Sequence, residues 1–413
     1  MLDIKFIREN REAVEKASLA KGYKIDIAQL LELDEQRRQL IGQGDLLREQ
    51  RNSIADQMKG GKPSPELIEK GKAVKDELAD LDKKLVQVSE KFEDALSLVP
   101  NMFSEDTPVG GEEANETIEE WGDKKSGATD HLDFATKRDW VDFDRATKVA
   151  GAKFYYLKGD LALLEMALLQ YAVNKVTKHG FMLMDVPYMV NNRTMTGTGF
   201  APRTSDQSDE YSIEGEDLSL IATAEIPLTG YHADEIIDEA NLPLLYAGYS
   251  PCFRKEAGAA GKYGRGLFRV HQFNKIEMYA YCTPEKSTEV HEKILSVERE
   301  IWQELGIPYR VIINASGDLG APAYKKYDVE FWSPVDESYR EISSCSNCTD
   351  FQARNLNIRV RRGDGNVEVL HTLNGTAISL ARALMVLIEN CQDGDKLVIP
   401  KILRPYLNNR EVL

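Results

Sequence analysis

At 413 residues and 46.5 kDa, the chain is too long for one ordinary domain and about right for two or three. Its 42% hydrophobic and 29% charged residues exclude an intrinsically disordered chain. With 52 Lys and Arg against 68 Asp and Glu, the formal net charge of −16 excludes coating of nucleic acid by bulk positive charge and leaves local basic surfaces open.

The N-terminal residues Met1-Leu2-Asp3-Ile4-Lys5-Phe6 carry no basic stretch leading into an apolar one, so no secretory signal is read there. Asp3 is placed to cap a helix running to about Ala20, closed by Lys21-Gly22. Asp26 can cap a second helix, in which Leu33, Leu40, Leu47 and Ile54 recur every seven residues. The breaker Gly60-Gly61-Lys62-Pro63-Ser64 follows. Then Leu67, Val74, Leu81, Val88 and Ala95 recur with the same period, and Leu78, Leu85 and Phe92 lie on the same face. Two heptad helices about a tight turn predict an antiparallel coiled-coil hairpin on the order of 50 Å long. Its charged face offers Arg37, Arg38, Arg48, Arg51, Lys70, Lys72, Lys75, Lys83 and Lys84.

Pro100 ends this helical region, residues 1–100. An acidic linker over 101–130 is expected next, with seven acidic residues and no Lys or Arg between 101 and 120. From 131 to 413 the pattern mixes helices with β-rich runs. The apolar period predicts a helix over 160–179, and strands are expected at 181–190, 247–254, 267–283, 309–314, 328–333, 358–361 and 367–373. Few strands alternate with helices, so the fold class is α+β, built on an antiparallel sheet. No apolar run approaches the ~18 residues of a membrane span. The five cysteines, all after residue 251, are odd in number and point to a reducing cytoplasm.

Three clusters in the second half could carry chemistry. The first runs Cys252-Phe253-Arg254-Lys255-Glu256, a Gly-rich loop with Lys262 and Arg265, then Leu267 through Glu277, and reads as strand, loop, strand. Alternation puts Arg254 and Glu256 on one side, Gln272 and Asn274 together, and Phe273, Lys275 and Glu277 on the other parity. A strand-mounted Arg suits phosphate, because its fork offers paired donors to two oxygens; the competing reading is an amphipathic hairpin with a solvated face. The second cluster, Glu341-Ile342-Ser343-Ser344, offers the hard oxygens that Mg²⁺ takes, or is a strand end with a capping Ser. The third, His371 through Thr376, reads as a strand feeding a small-residue turn, with a helix over 377–390 and Arg382 in its second turn.

Cys345-x-x-Cys348 lacks a second pair at ligand spacing, so no structural zinc is expected. No phosphate loop of Walker type, no H-E-x-x-H and no Ser-His-Asp arrangement is present.

In that order, behind a heptad hairpin, the clusters resemble a bacterial-type seryl-tRNA synthetase, a class II aminoacyl-tRNA synthetase, over essentially the whole chain. Lys178-His179-Gly180-Phe181 through Val186-Pro187 resembles class II motif 1, Phe253 through Glu277 motif 2, and Asn374-Gly375-Thr376 through Arg382 motif 3. Thr223-Ala224-Glu225 resembles the family's serine-binding segment. The combination of T-A-E, F-R-x-E-A-G, H-Q-F-x-K-x-E, E-I-S-S-C-S-N and L-N-G-T is highly specific, although motif 1 alone is not. The sequence departs from the family pattern at Ala377 and Ala381, where many members carry glycine, and over Phe200 to Tyr211.

The resemblance implies ATP-dependent ligation of L-serine to tRNA(Ser) through a seryl-adenylate, and it leaves tRNA(Sec) as a further substrate. It implies that Arg254, Glu277 and Arg382 carry the chemistry. Thr223, Ala224, Glu225, Glu277 and Thr376 would bind serine. Arg254, Lys255, Glu256, Val270, His271, Gln272, Phe273, Glu341, Ile342, Ser343, Ser344 and Arg382 would bind ATP, with Mg²⁺ on Glu341 and Ser344. It further implies a homodimer without membrane attachment, in which the hairpin grips tRNA largely by backbone and shape. An amino acid:carrier-protein ligase of synthetase origin is the second reading, and a long arm argues against it. A non-catalytic coiled-coil scaffold is the third, and intact Arg254, Glu256, Glu277, Glu341 and Arg382 argue against that.

Overall fold

The computed structural model describes residues 1–59, 64–199, 210–256 and 266–413. The breaker at 60–63, most of the divergent 200–211 segment and the loop carrying Lys262 and Arg265 lie outside the described residues. The chain packs as two units, Met1–Pro100 and Asn101–Leu413.

The first unit is helical. Asp3 caps α1 (Ile4–Glu9) by accepting from the Lys5 N–H, but the helix expected to reach Ala20 breaks at Asn10. There the Asn10 amide donates to the Phe6 carbonyl, the local bonding that makes Asn a helix ender. α2 (Arg11–Ala20) follows, and then the two long helices α3 (Ile27–Met58) and α4 (Pro65–Ser97). Asp26 and Ser64 cap these two through the N–H groups of Gln29 and Leu67, and Pro65 opens α4 where no N–H is needed. Gly71 faces Ile54 and Met58, Gly44 faces Leu81, Arg48 pairs with Asp82 at 3.2 Å, and Arg37 lies 5.3 Å over the Phe92 ring. Partners climb α4 as they descend α3, so the hairpin is antiparallel. Its seam is the heptad rows: Leu47, Leu78 and Leu81 are buried, with Leu40 and Val74 against them. At 1.5 Å per residue α3 spans about 48 Å.

In the second unit, eight strands of the described residues form one sheet. They are β1 (Glu116–Trp121), β2 (Met182–Asp185), β3 (Leu244–Phe253), β4 (Gln272–Cys282), β5 (Tyr309–Ile313), β6 (Lys325–Ser333), β7 (Ser338–Thr349) and β8 (His371–Ser379). Their order is β1-β5-β6-β7-β8-β4-β3-β2, antiparallel except where β2 joins β3. The helices that matter are α5 (His131–Lys137), α6 (Asp160–Lys178), α7 (Glu225–Gly230), α8 (Ser287–Glu304) and α9 (Leu380–Asn390). Leu164 and Leu168 of α6, Ile294, Val297 and Ile301 of α8, and Leu384 and Leu387 of α9 share a core with Ile276, Met278, Val329 and Phe331 of the sheet. That leaves alternate strand residues on the opposite face, where Tyr246, Tyr279 and Tyr281 join a second apolar cluster.

Three expectations change. The acidic linker is not free chain: Glu116–Trp121 is an edge strand on β5. Its acidic residues find partners there, Glu119 with Arg299 and the Tyr309 hydroxyl, while Trp121 stacks on Tyr309 at 5.7 Å. β7 is a full twelve-residue strand where only a strand end was expected. The strand from His371 does not turn at Asn374-Gly375-Thr376 but runs on to Ser379, with Ile378 opposite Ile276 and Ser379 opposite Lys275. α9 therefore starts at Leu380, and Arg382 is in its first turn rather than its second.

Candidate active site

Glu277 stands at the middle of the polar face of the sheet. Cross-strand register sets it between Gly248 on β3 and Thr376 on β8. The Thr376 hydroxyl donates to Glu277 Oε2 at 3.1 Å, and Lys275 Nζ lies 2.6 Å from the same oxygen. Opposite Gly248 comes the Thr223-Ala224-Glu225 segment at the start of α7. A Cβ on Gly248 would stand 2.7 Å from the Ala224 methyl and 2.9 Å from Leu228, so only glycine admits this approach. Ala224 itself is packing, and any bond it offers a ligand comes from its backbone.

Glu225 is buried beside Glu277. Its Oε1 accepts from Gln352 Nε2 at 2.8 Å and from Asn374 Nδ2 at 2.9 Å, and its N–H donates to the Thr223 hydroxyl at 3.2 Å. The Tyr279 and Thr372 hydroxyls both donate to Gln352 Oε1, which fixes the amide so that its NH₂ faces Glu225. Burial, reinforced by the Glu277 charge, pushes the Glu225 carboxyl up to about 7. Two carboxylates, a hydroxyl and a lysine in so small a space suit a ligand that carries an ammonium and a hydroxyl.

The phosphate-side residues flank this pocket. Arg254 Nε donates to the Ala222 carbonyl at 3.4 Å, and its guanidinium stands 5.4 Å over the Phe273 ring. β3 ends at Phe253, so the alternation expected for Arg254 and Glu256 does not hold: Glu256 sits at φ +50° and turns its carboxylate to Arg269 at 3.2 Å. His271 donates from Nδ1 to the Arg254 carbonyl at 2.9 Å, and Arg254 N–H returns a bond to the His271 carbonyl. Lys255 and Gln272 are exposed, Lys255 near the Tyr211 ring, while the Val270 side chain belongs to the core.

A β-bulge settles the third group. Simple alternation would send Glu341 and Ser344 to opposite faces. In β7, Ser343 pairs with Val329 but Glu341 pairs with Glu330, leaving Ile342 as the extra residue. Glu341, Ser344, Asp328 and Lys326 thereby share one face. Ile342 and Ser343 go the other way, Ile342 into the core and Ser343 to accept from the Trp302 indole at 3.1 Å. Arg382 Nη1 lies 3.4 Å from a Glu341 carboxylate oxygen. Desolvation opposes ionisation of Glu341, but the charges of Arg382, Lys326 and Arg254 outweigh it and hold the carboxyl below its usual range. An ionised carboxylate beside a hydroxyl is a hard-oxygen set that fits Mg²⁺. Cys345 lies in the core, and Cys348 Sγ stands 3.7 Å from Asn374 Nδ2.

Gln352, Lys275, Asn374, Lys326 and Asp328 had no role assigned from sequence. Lys326 lies before the strand expected from Asp328, and only the observed strand from Lys325 puts the two on one face, while Gln352 reaches Glu225 only through the tertiary fold.

Two family models match the chain: the seryl-tRNA synthetase N-terminal domain over residues 1–103, and the tRNA synthetase class II core domain (G, H, P, S and T) over 209–391. The serine–tRNA ligase of Dictyoglomus turgidum is 46% identical over 100% of this chain and 99% of its own. That of Treponema denticola is 44% identical over 98% of each. Among solved structures, the seryl-tRNA synthetase of Pyrococcus horikoshii complexed with ATP superposes with a TM-score of 0.91 at 39% identity, covering 100% of this chain and 99% of that one. The cytoplasmic serine–tRNA ligase of Naegleria fowleri in complex with AMP gives 0.86 at 31% identity, covering 100% and 98%.

Proposed function

The chain belongs to the seryl-tRNA synthetases, and from that footing we propose how its own residues perform ATP-dependent ligation of serine to tRNA. The reading rests most on one observation, the Glu225–Glu277–Thr376 pocket lying against Arg254 on one sheet face. The serine ammonium sits between the Glu225 and Glu277 carboxylates, and its hydroxyl bonds within the same buried polar set. A pocket of this kind rejects alanine strongly, since the missing hydroxyl leaves buried polar groups without a partner.

Arg254 holds the serine carboxylate near the ATP α-phosphate and neutralises charge there. The carboxylate attacks the α-phosphorus, pyrophosphate leaves, and seryl-adenylate forms. The terminal ribose hydroxyl of tRNA then attacks the adenylate carbonyl, the bond from that carbonyl carbon to the phosphate oxygen breaks, and AMP leaves as its phosphate takes up the hydroxyl proton. Such a reaction is driven by positioning and charge more than by a protein nucleophile. Phe273 stacks on the adenine, Glu256, His271 and Gln272 frame it, and Arg382 reaches the distal phosphates. Glu341 and Ser344 would hold Mg²⁺, whose charge when bound offsets that of the phosphate oxygens.

The α3–α4 hairpin supplies the tRNA grip, with tRNA(Sec) a further substrate because the ligated amino acid is the same. A homodimer is supported by the apolar side chains exposed along α6 and the β2 edge, Leu163, Met166, Met182 and Leu183. No helix among the described residues is long and apolar enough to cross a membrane, and the five cysteines are free, which suits the cytoplasm. Amino-acid-dependent ATP–pyrophosphate exchange tests the central reading. Serine should drive it well above alanine or threonine, and equal rates would refute it.

A further inference from the structure

Among the described residues, Asp130, His131 and Glu389 bring three potential metal-ligand atoms together outside the active site, but both imidazole nitrogens are already engaged. The Leu267 N–H donates to His131 Nε2 at 3.2 Å, which leaves the ring proton on Nδ1 to be donated to Glu389 Oε1 at 2.8 Å. Glu389 Oε2 in turn accepts from the Ser333 hydroxyl at 3.1 Å. His131, Leu267, Glu389 and Ser333 are buried, and Asp130 is half-buried. Gly266, at φ +65°, passes so close to His131 Nε2 that any Cβ there would collide with the ring.

The consequence lies one residue on. Phe268 presents its ring to the Arg382 guanidinium at 4.8 Å. Arg382 and Glu389 stand on the same helix, α9, two turns or about 10 Å apart. A circuit therefore closes: α9 fixes His131 through Glu389, His131 fixes the Leu267 backbone, and Phe268 returns to brace Arg382 on α9.

We propose that His131 is a positioning residue for the nucleotide half of the reaction, pinning the Gly266–Leu267 backbone so that Phe268 braces Arg382. This rests on the reading that Arg382 contacts ATP. The experiment uses the full-length enzyme in ATP–pyrophosphate exchange, with separate KM values for ATP and serine. His131→Gln can keep an acceptor near the Nε2 position, whereas His131→Asn keeps only a donor near Nδ1. Losing a bond to a buried group predicts an about ten-fold higher ATP KM for His131→Asn, with serine KM held within about two-fold and His131→Gln near wild type. A purely structural histidine would instead lower the thermal midpoint in both variants and leave their ATP KM values alike, which overturns the proposal. Should neither variant fold, Phe268→Leu, at a partly exposed position, tests the far end of the circuit; an unchanged ATP KM there also overturns it. Arg382→Ala separates the two readings. If its ATP KM is unchanged, the assignment of Arg382 to ATP has failed, and if it rises while His131→Asn and Phe268→Leu do not raise theirs, the circuit alone has failed.

Discussion

Glu225→Gln should stabilise the protein while destroying its activity. The carboxyl is buried, and burial together with the Glu277 charge holds its proton up to about 7, against 4.5 in the unfolded chain. The folded state binds the proton more tightly, so the contribution to stability is full below pH 4.5 and is lost as pH rises through about 7. At pH 8 the ionised form costs about 3 kcal/mol, on the order of one pKa unit per 1.4 kcal/mol. Glutamine is nearly isosteric, and its carbonyl can occupy the Oε1 position that accepts from Gln352 and Asn374, so it removes the charge without stranding either amide. The variant should melt about 5 °C above wild type at pH 8, a scale set by the entropy of unfolding a domain this large. At pH 5, where the wild-type carboxyl is protonated, the gap should close. Serine-dependent exchange should fall by about a hundred-fold, because the ammonium loses one of its two counter-charges. Thermal melts at pH 5, 6, 7 and 8 measure the first effect. A variant no more stable than wild type at pH 8, or more stable by the same margin at pH 5, would refute the account of a strained carboxylate pair.

Arg254→Ala should lower serine-dependent exchange by at least about a thousand-fold, as expected for losing a charge aimed at the reacting phosphate, with a thermal midpoint near wild type; exchange within ten-fold would remove Arg254 from the mechanism. Deleting residues 35–90 should leave exchange intact and abolish tRNA charging; loss of both in a folded protein would give the arm another role. Gly248→Ala drives a methyl to 2.7 Å from Ala224, which should cost about 2 kcal/mol and raise serine KM more than ATP KM. Equal KM effects there would mean that Gly248 matters only for packing.

What could be read in the sequence follows how local each signal is. The heptad rows of α3 and α4 and the caps at Asp3 and Asp26 depend on neighbours within one helix turn or one heptad, so they are legible in the sequence, whereas Ser64 reads only as part of the breaker and its capping bond to Leu67 is seen in the structure. The strand β7 is not legible, because Ser343, Ser344, Ser346, Asn347 and Thr349 read locally as turn residues. It carries polar groups because its two faces meet a helix indole and the active site. The bulge that unites Glu341 with Ser344 exists only in the pairing with β6, which no spacing along one strand encodes. The segment 377–379 has helix-forming composition, yet pairing with Lys275 and Ile276 holds it as strand. The acidic run before residue 121 reads as a linker because its partners, Arg299 and Tyr309, stand nearly two hundred positions away.

The same contrast explains how a chain of net charge −16 can serve two anionic ligands. Residues 1–100 hold eighteen basic and twenty acidic side chains. On the hairpin Arg38, Arg48, Lys59, Lys70 and Lys83 already have exposed partners one turn away on the same helix. Exposed pairs of this kind contribute little and are screened by salt, so a polyphosphate backbone can replace the acidic partner at small cost. In the catalytic unit Glu225, Glu277, Lys275 and Asp328 are buried, and Arg254, Glu341 and Arg382 are held close around them. Removing one partner from such a set is expensive, so these charges can tolerate only a ligand of fixed shape that completes them. Repartnering at low cost suits a long flexible polyanion, and a rigid buried set suits one small amino acid and one nucleotide.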